Sequence, residues 1–401
     1  WKKTVEAAIT DHVDALKDSL SGWPEFIVRR DEADGQTTLL HKAARAGSGD
    51  AVRFLLQRGA SLSLQNADEM TAGDLAFQAG QQQVFEILVM HRVWSLKRER
   101  ETEGPPLKRR REEGSGAGED HYLNQRLRYE AGRLLDANSK AVMMGWETPL
   151  MKLHADLLLP KKMMRVANVG FGLGIVDGFL QQHHPHTHHI IEAHGDVLAE
   201  MKRRGWYERP GVQVHEGRWQ DTISGFADGS LDAIFFDTWS ETYEDLRLFI
   251  GELPRLLSPE GHFSFFNGMA PYSIAEHAAF CRLAQEDLSA LGFACEMNLV
   301  EVGELGTCTW QGVSERYWQF DTYYLPLARR LQDDACTTTP TAQRDSSQAG
   351  APAKTDVKGC SASRAEQLFD RRPWPTFPVE VTDRLGERLP LSEFGLAEHA
   401  E

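Results

Sequence analysis

Three acids and one glycine-rich turn carry the chemistry that this sequence can do. Glu147 lies in the segment Val142-Met143-Met144-Gly145-Trp146-Glu147-Thr148-Pro149. Asp237 closes the most apolar run of the second half of the chain, Ile234-Phe235-Phe236-Asp237. The turn Gly170-Phe171-Gly172-Leu173-Gly174 follows a short apolar run at 165–169, and Glu192 closes the next run, 22 residues after Gly170. Glycines at such a turn let the backbone come close to a ligand, and the start of the following helix offers free N–H groups. An acid at the end of the next strand accepts hydrogen bonds from ribose hydroxyls.

These residues need a frame, and the pattern supplies one. Strand-like runs at 165–169, 189–192, 212–215, 231–237, 262–267 and 295–302 alternate with helical patterns at 196–203, 243–257 and 274–291. Strands that alternate with helices predict an α/β fold, a doubly wound, Rossmann-like parallel sheet. A late aromatic run at 317–325 reads as an antiparallel edge. In open sheets of this kind ligands sit at the carboxyl ends of the strands, which places Asp237 at the reacting end of the site. The turn is spaced G-x-G-x-G and has no pyrophosphate to cradle, which turns the reading from a dinucleotide to S-adenosylmethionine. Arg218-Trp219-Gln220-Asp221 follows the third strand, where such sheets touch the adenine. Trp219 either stacks there or belongs to the core, and Gln220 can hydrogen-bond.

Ahead of this domain stands a repeat. Thr38-Leu39-Leu40-His41-Lys42-Ala43-Ala44 recurs as Thr71-Ala72-Gly73-Asp74-Leu75-Ala76 after 33 residues, and the period and pattern resemble the ankyrin repeat. The second copy has Gly73 and Asp74 where Leu and His are usual. Segment 4–30 reads as a capping unit and 81–91 as the closing helix, which gives a small all-α module over residues 1–95. A charged stretch at 96–119 reads as a disordered linker, and its basic run 108–111 as a solvated charge run or a nuclear-import signal. Residues 120–330 form the sheet domain, 331–365 a low-complexity insertion, and 366–401 a tail with Trp374, Phe377 and Phe394.

The chain of 401 residues carries 44 basic and 59 acidic side chains, a net charge of −15. That balance argues against general nucleic-acid binding and suits a basic partner. No run is long and apolar enough to span a membrane, and the opening stretch is amphipathic and unlike a secretion signal. Five scattered cysteines (281, 295, 308, 336, 360) read as buried or free thiols of a reducing compartment. Five histidines between 183 and 189 read as a surface loop rather than a metal site; no metal is expected.

The segments VMMGWETPLM, VGFGLG, IIEAH, GRWQD, FFDTW, FFNGM and RYW occur in this order and spacing in guanidinoacetate N-methyltransferases and in the fungal type IV protein arginine N-delta-methyltransferases. Residues 120–330 resemble both, and the repeat module, Gly145 and Asn168 resemble the arginine enzymes. The resemblance implies transfer of a methyl group from S-adenosylmethionine to the internal guanidino nitrogen of an arginine in a protein. The alternative is a small guanidino compound such as guanidinoacetate. It implies donor contacts at Tyr122, Met143, Phe171, Gly172, Leu173, Gly174, Ile175, Val176, Glu192, Ala193, His194, Trp219, Gln220 and Asp237. It implies that Glu147 and Asp237 grip the guanidinium. The small-molecule enzymes bind a substrate carboxylate near the position of residues 267–270, where this sequence differs. The implied partner is a basic large-subunit ribosomal protein, docked in part by the ankyrin-like repeats, in the cytoplasm and the nucleus. Removing residues 1–95 is then expected to spare donor binding and to weaken only the protein substrate.

Overall fold

The computed structural model describes residues 1–103, 122–130, 132–239, 242–303 and 305–331. The basic run 108–111, the rest of the linker expected up to 119, the insertion from 332 and the tail with Trp374, Phe377 and Phe394 lie outside the described residues, as do Cys336 and Cys360.

The N-terminal module is three helix pairs: α1 (Lys2–Ile9) with α2 (Val13–Gly22), α3 (Leu39–Ala46) with α4 (Gly49–Gln57), and α5 (Ala72–Gln78) with α6 (Gln82–Glu103). Thr38 and Thr71 open the first helices of the second and third pairs through reciprocal bonds with His41 and Asp74, which satisfy N–H groups that a helix start leaves free. Leu39, Leu40, Ala43 and Ala44 are fully buried, as a stacked repeat requires. The closing helix runs on to Glu103, through the first residues of the expected linker. Its late charges find acids on the sheet domain. Lys97 pairs with Glu286 at 2.5 Å, and Arg100 with Glu244 at 2.6 Å and Asp287 at 3.3 Å.

The second domain opens with a three-stranded antiparallel sheet, β1 (Arg128–Glu130), β2 (Arg133–Leu135) and β3 (Ala141–Met144), that the sequence reading did not contain. Helix α7 (Thr148–Leu158) leads into a seven-stranded sheet with β4 (Arg165–Val169), β5 (Thr187–Glu192), β6 (Val212–Glu216), β7 (Leu231–Phe236), β8 (Leu257–Phe265), β9 (Phe293–Glu301) and β10 (Thr322–Arg330). Their order is β6-β5-β4-β7-β8-β10-β9. The first five run parallel, and β10 pairs antiparallel with both β8 and β9. The edge is therefore β9, and the late aromatic strand lies inside the sheet. Tyr323 through Ala328 are all buried, which an edge strand would not need.

Helices α8 (Ile175–Gln182) and α9 (Gly195–Arg203) cross over between the first parallel strands. The helix expected at 243–257 is two pieces, α10 (Tyr243–Ile250) and a single turn at Leu253–Leu256 with Pro254 in its first turn. Proline has no N–H to continue the ladder. Helix α11 (Ile274–Ala290) packs beside α6. One buried cluster includes Ala76, Val89, Ala275, Leu283 and Phe263, so the repeat module and one face of the sheet share a core. Removing residues 1–95 would strip that face, contrary to the separable module that the repeat pattern implied.

Candidate active site

A cavity of about 310 Å³ opens at the carboxyl ends of β4, β5 and β7. Its floor is the turn after β4. Gly170 has φ +93°, and a Cβ there would lie 1.9 Å from the carbonyl oxygen of Asp237. Gly172 has φ +54° and faces Met143 of β3, whose sulfur a Cβ at 172 would meet at 2.9 Å. The backbone N–H of Leu173 donates to that sulfur at 3.2 Å. The small N-terminal sheet thus closes over the glycine turn.

Glu192 ties this turn to the end of β5. Its Oε2 accepts the N–H of Phe171 at 2.9 Å, and its Oε1 accepts the N–H groups of Ala193 at 2.8 Å and His194 at 2.7 Å. A carboxylate has about four acceptor positions, so three are used and one remains on Oε2 for a ligand hydroxyl. Burial raises its pKa, and the three N–H bonds oppose the rise. Tyr122 forms the roof. Its ring lies 4.4 Å from the Trp239 ring and 5.0 Å from that of His194. Trp219 borders the cavity and packs edge-on against Phe249 in the core, with ring centres 5.2 Å apart.

Glu147 and Asp237 line the same cavity. Glu147 sits at the end of a single turn between β3 and α7, and only 3% of it is exposed. Its Oε1 accepts the N–H of Met144 at 2.9 Å and the hydroxyl of Tyr317. Both bonds fall on Oε1, which leaves Oε2 for a cation. Burial first, and then the charge of Asp237, push its pKa up to about 8. Asp237, partly open to the cavity, is pushed up to about 7 by desolvation and by buried Asp177 behind it. Two carboxyl groups that each resist ionisation make a site that favours a positive guest.

Of the expected donor contacts, Tyr122, Met143, Phe171, Gly172, Glu192, Ala193, Trp219, Gln220 and Asp237 border the cavity. Leu173, Gly174, Ile175, Val176 and His194 do not. Gly174 is the left-handed cap of α8, Val176 is core, and His194 caps α9 and bonds the carbonyl of Tyr122 at 3.2 Å. They hold the walls in place. Asn168 donates to the carbonyl of Gly170 at 2.7 Å and to Asp177 at 2.9 Å, so an acid from α8 stands beside it. The histidine run is only partly a loop. His188 is buried on β5, 3.0 Å from Asp177, and His189 bonds His215 at 3.0 Å. Tyr317 and Trp239 border the cavity without having been singled out for a role. Tyr317, in the segment RYW, is 170 residues from Glu147 and only the fold brings it there, whereas Trp239 follows Asp237 in FFDTW.

A sheet of this order, a glycine turn after its first parallel strand and an acid at the end of the next define a Rossmann-like methyltransferase domain. The cavity fits S-adenosylmethionine. A Cβ at Gly172 would press on Met143, which also lines the cavity, and Glu192 keeps one acceptor position open.

A family model described as guanidinoacetate N-methyltransferase matches residues 118–271, and one for ankyrin repeats in three copies matches residues 5–95. The chain is 44% identical over 223 residues to "Protein arginine N-methyltransferase 2" of Aspergillus oryzae, covering 55% of this chain and 54% of the relative. It is 46% identical over 213 residues to the protein of that name in Emericella nidulans, covering 52% and 50%. The chain thus spans about half the length of these curated relatives. With the protein of the same name in Cryptococcus neoformans it shares 33% identity over 361 residues, 82% of this chain and 94% of the relative. The chain belongs to the protein arginine N-methyltransferase 2 family.

Proposed function

We propose that this protein methylates arginine side chains of proteins at the internal, delta nitrogen of the guanidino group. The observation that carries this reading is the meeting of Glu147 and Asp237 in the cavity that also holds Glu192 and the glycine turn. A guanidinium has a pKa above about 12 and delocalised lone pairs, so it is a poor nucleophile. Two carboxylates can hold it by charge-assisted, forked hydrogen bonds and fix its plane. Glu147 offers Oε2, and Tyr317 and Met144 hold its other oxygen. Tyr122, Glu192 and Gln220 border the cavity and would hold the donor. S-adenosylmethionine, when bound, supplies an electrophilic methyl carbon. The methyl would leave the donor's sulfur, which becomes a neutral thioether, as its bond to the acceptor nitrogen forms, and a carboxylate oxygen of Asp237 or Glu147 would take the proton from that nitrogen. The pair thereby cancels charge that would otherwise build up.

A small guanidino acid is the weaker reading. Among the described residues that line the cavity Arg218 alone is basic, and it lies on the β6 side. Asn267 is spent on the fold, with its N–H bonded to the Tyr323 hydroxyl at 2.7 Å and its amide to the Tyr324 carbonyl at 2.9 Å. The net charge of −15 suits a basic substrate such as a large-subunit ribosomal protein, met in the cytoplasm or nucleus.

The experiment is mass spectrometry of basic proteins, arginine peptides and guanidinoacetate after incubation with labelled donor, with fragmentation that separates internal from terminal guanidino nitrogens. Label on the internal nitrogen is expected. Label on terminal nitrogens overturns the delta assignment, and label on guanidinoacetate alone overturns the protein substrate.

A further inference from the structure

The second full repeat departs from the usual repeat pattern at two adjacent positions, Gly73 and Asp74, and both face the sheet domain. His41 closes its own turn, its Nδ1 accepting the N–H of Thr38 at 3.1 Å. Asp74 makes the same closure with Oδ2, which accepts from the N–H and the hydroxyl of Thr71 at 2.7 and 2.6 Å. Its other oxygen leaves the repeat. Oδ1 accepts the N–H of Ile274, the first residue of α11, at 3.0 Å. Where the first repeat has buried Leu40, the second has Gly73, and a Cβ there would lie 2.5 Å from the Cβ of Ala275. Glu276, one residue further on, accepts the hydroxyl of Ser63 at 2.6 Å and pairs with Arg92 at 3.3 Å. The repeat has exchanged an apolar knob and an imidazole for a hole and an acid, and the start of α11 fills both.

That start is next to the active site. Phe266, Gly268 and Met269, just ahead of α11, form one wall of the cavity. The other acceptor-side loop is held the same way. Arg100 of α6 pairs with Glu244, its guanidinium lies 5.0 Å from the ring centre of Tyr243, and both partners stand in the first turn of α10. Asp237, Thr238, Trp239 and Thr242, ahead of that turn, also border the cavity. The module therefore grips the first turn of each helix that follows an acceptor-side loop.

We propose that the repeat module is a brace that sets the acceptor half of the active site, with Gly73 and Asp74 as its positioning residues. The inference rests on the reading above for what the acceptor is, but not for the bracing itself. A docking arm needs only a tether. Here polar groups are matched across a shared core, so a disturbance at residues 73 and 74 moves the wall at 266–273.

The test uses the full chain. Gly73→Leu and Asp74→His give the second repeat the residues of the first, so the repeat keeps its own cap and loses its fit to α11. Asp74→Asn and Gly73→Ala are milder versions should the larger changes fail to fold. Four quantities are read: hydrogen exchange at 238–250 and 266–273, the donor Kd, and kcat and KM for an arginine peptide too short to reach the repeats. Exchange at 266–273 should rise about fivefold or more, because local opening tracks lost contacts, and 238–250, held by Arg100, should change less. The donor Kd should hold within about twofold, and kcat for the short peptide should fall about tenfold or more. Adding Ala275→Gly to Gly73→Ala should restore kcat by returning the space. Unchanged exchange at 266–273, or a loss confined to KM for a long protein substrate, overturns the brace. If the wild-type protein methylates no arginine, the exchange and donor measurements still decide the bracing, so the two readings fail separately.

Discussion

Gly170 lies directly under the backbone of Asp237: a side chain at 170 would put its Cβ 1.9 Å from the Asp237 carbonyl oxygen. The approach is held by two bonds, from Asp237 N–H to the Val169 carbonyl and from Gly170 N–H to the Ile191 carbonyl, each 2.9 Å. The turn that faces the donor and the acid that faces the acceptor are thus one backbone junction across β4 and β7. Gly170→Ala meets a backbone atom that cannot swing aside, at φ +93° where a Cβ is strained in any case. The variant should lose about 1–3 kcal/mol or more of stability and its donor binding together. Thermal melting and donor titration check this, and normal donor affinity in a folded variant would contradict the packing described.

Asp237→Asn keeps the shape and removes the charge. Tyr122, Glu192 and Trp219 are untouched, so donor affinity should fall by no more than about tenfold, through the contact of Asp237 itself, while kcat falls about 100-fold or more. Steady-state kinetics beside donor titration separates the two. Retention of more than about a tenth of kcat removes Asp237 from the proton and charge role.

The acid pair fixes a direction with pH. Both pKa values are raised in the fold, Glu147 to about 8 and Asp237 to about 7. Between the unfolded and the folded pKa the native state holds protons that the unfolded chain has released. The pair's contribution to stability without ligands therefore falls as pH rises from about 4 to 8 and levels off above, by at most about 1.4 kcal/mol per pH unit for each proton held. Melting curves of the wild type and of the Glu147→Gln, Asp237→Asn double variant should differ in this slope, and parallel curves would show that the pair does not titrate there. A guanidinium guest favours both ionised forms, so its binding should release protons near neutral pH. Calorimetry in buffers of different ionisation enthalpy reads that release directly.

Much of this site was legible before the fold. Glu147, Asp237 and Glu192 were readable because strand ends in a doubly wound sheet have a fixed chemical meaning, and each closes or flanks an apolar run. Charge composition misled at 96–103, where Lys97 and Arg100 look solvated until acids on α10 and α11 meet them across the domain boundary. The place of β10 was hidden for a related reason. A mixed run of Tyr, Leu and Pro fits an edge as well as an interior position, and only pairing on both sides decides it. Gly73 and Asp74 looked like decay of the repeat. They are a fit to another domain, which no reading of the repeat by itself could supply.

Tyr317 is the residue that only the fold exposed, and its effect on Glu147 has a sign. Its hydroxyl donates to Glu147 Oε1 and so favours the carboxylate, against the burial that raises the pKa. Tyr317→Phe removes that donor and leaves the Met144 N–H as the other bond to the same oxygen. Glu147 should then hold its proton to higher pH. At neutral pH kcat/KM should fall about tenfold, close to the loss of one hydrogen bond to a charged group, with donor Kd unchanged. The alkaline side should recover part of the loss, because raising the pH replaces what the hydroxyl supplied. A pH–rate profile from about pH 6 to 9.5 tests this. A uniform loss across the whole range would instead mean that the tyrosine acts by packing against Trp146 and Trp310, its ring neighbours at 5.8 and 5.1 Å.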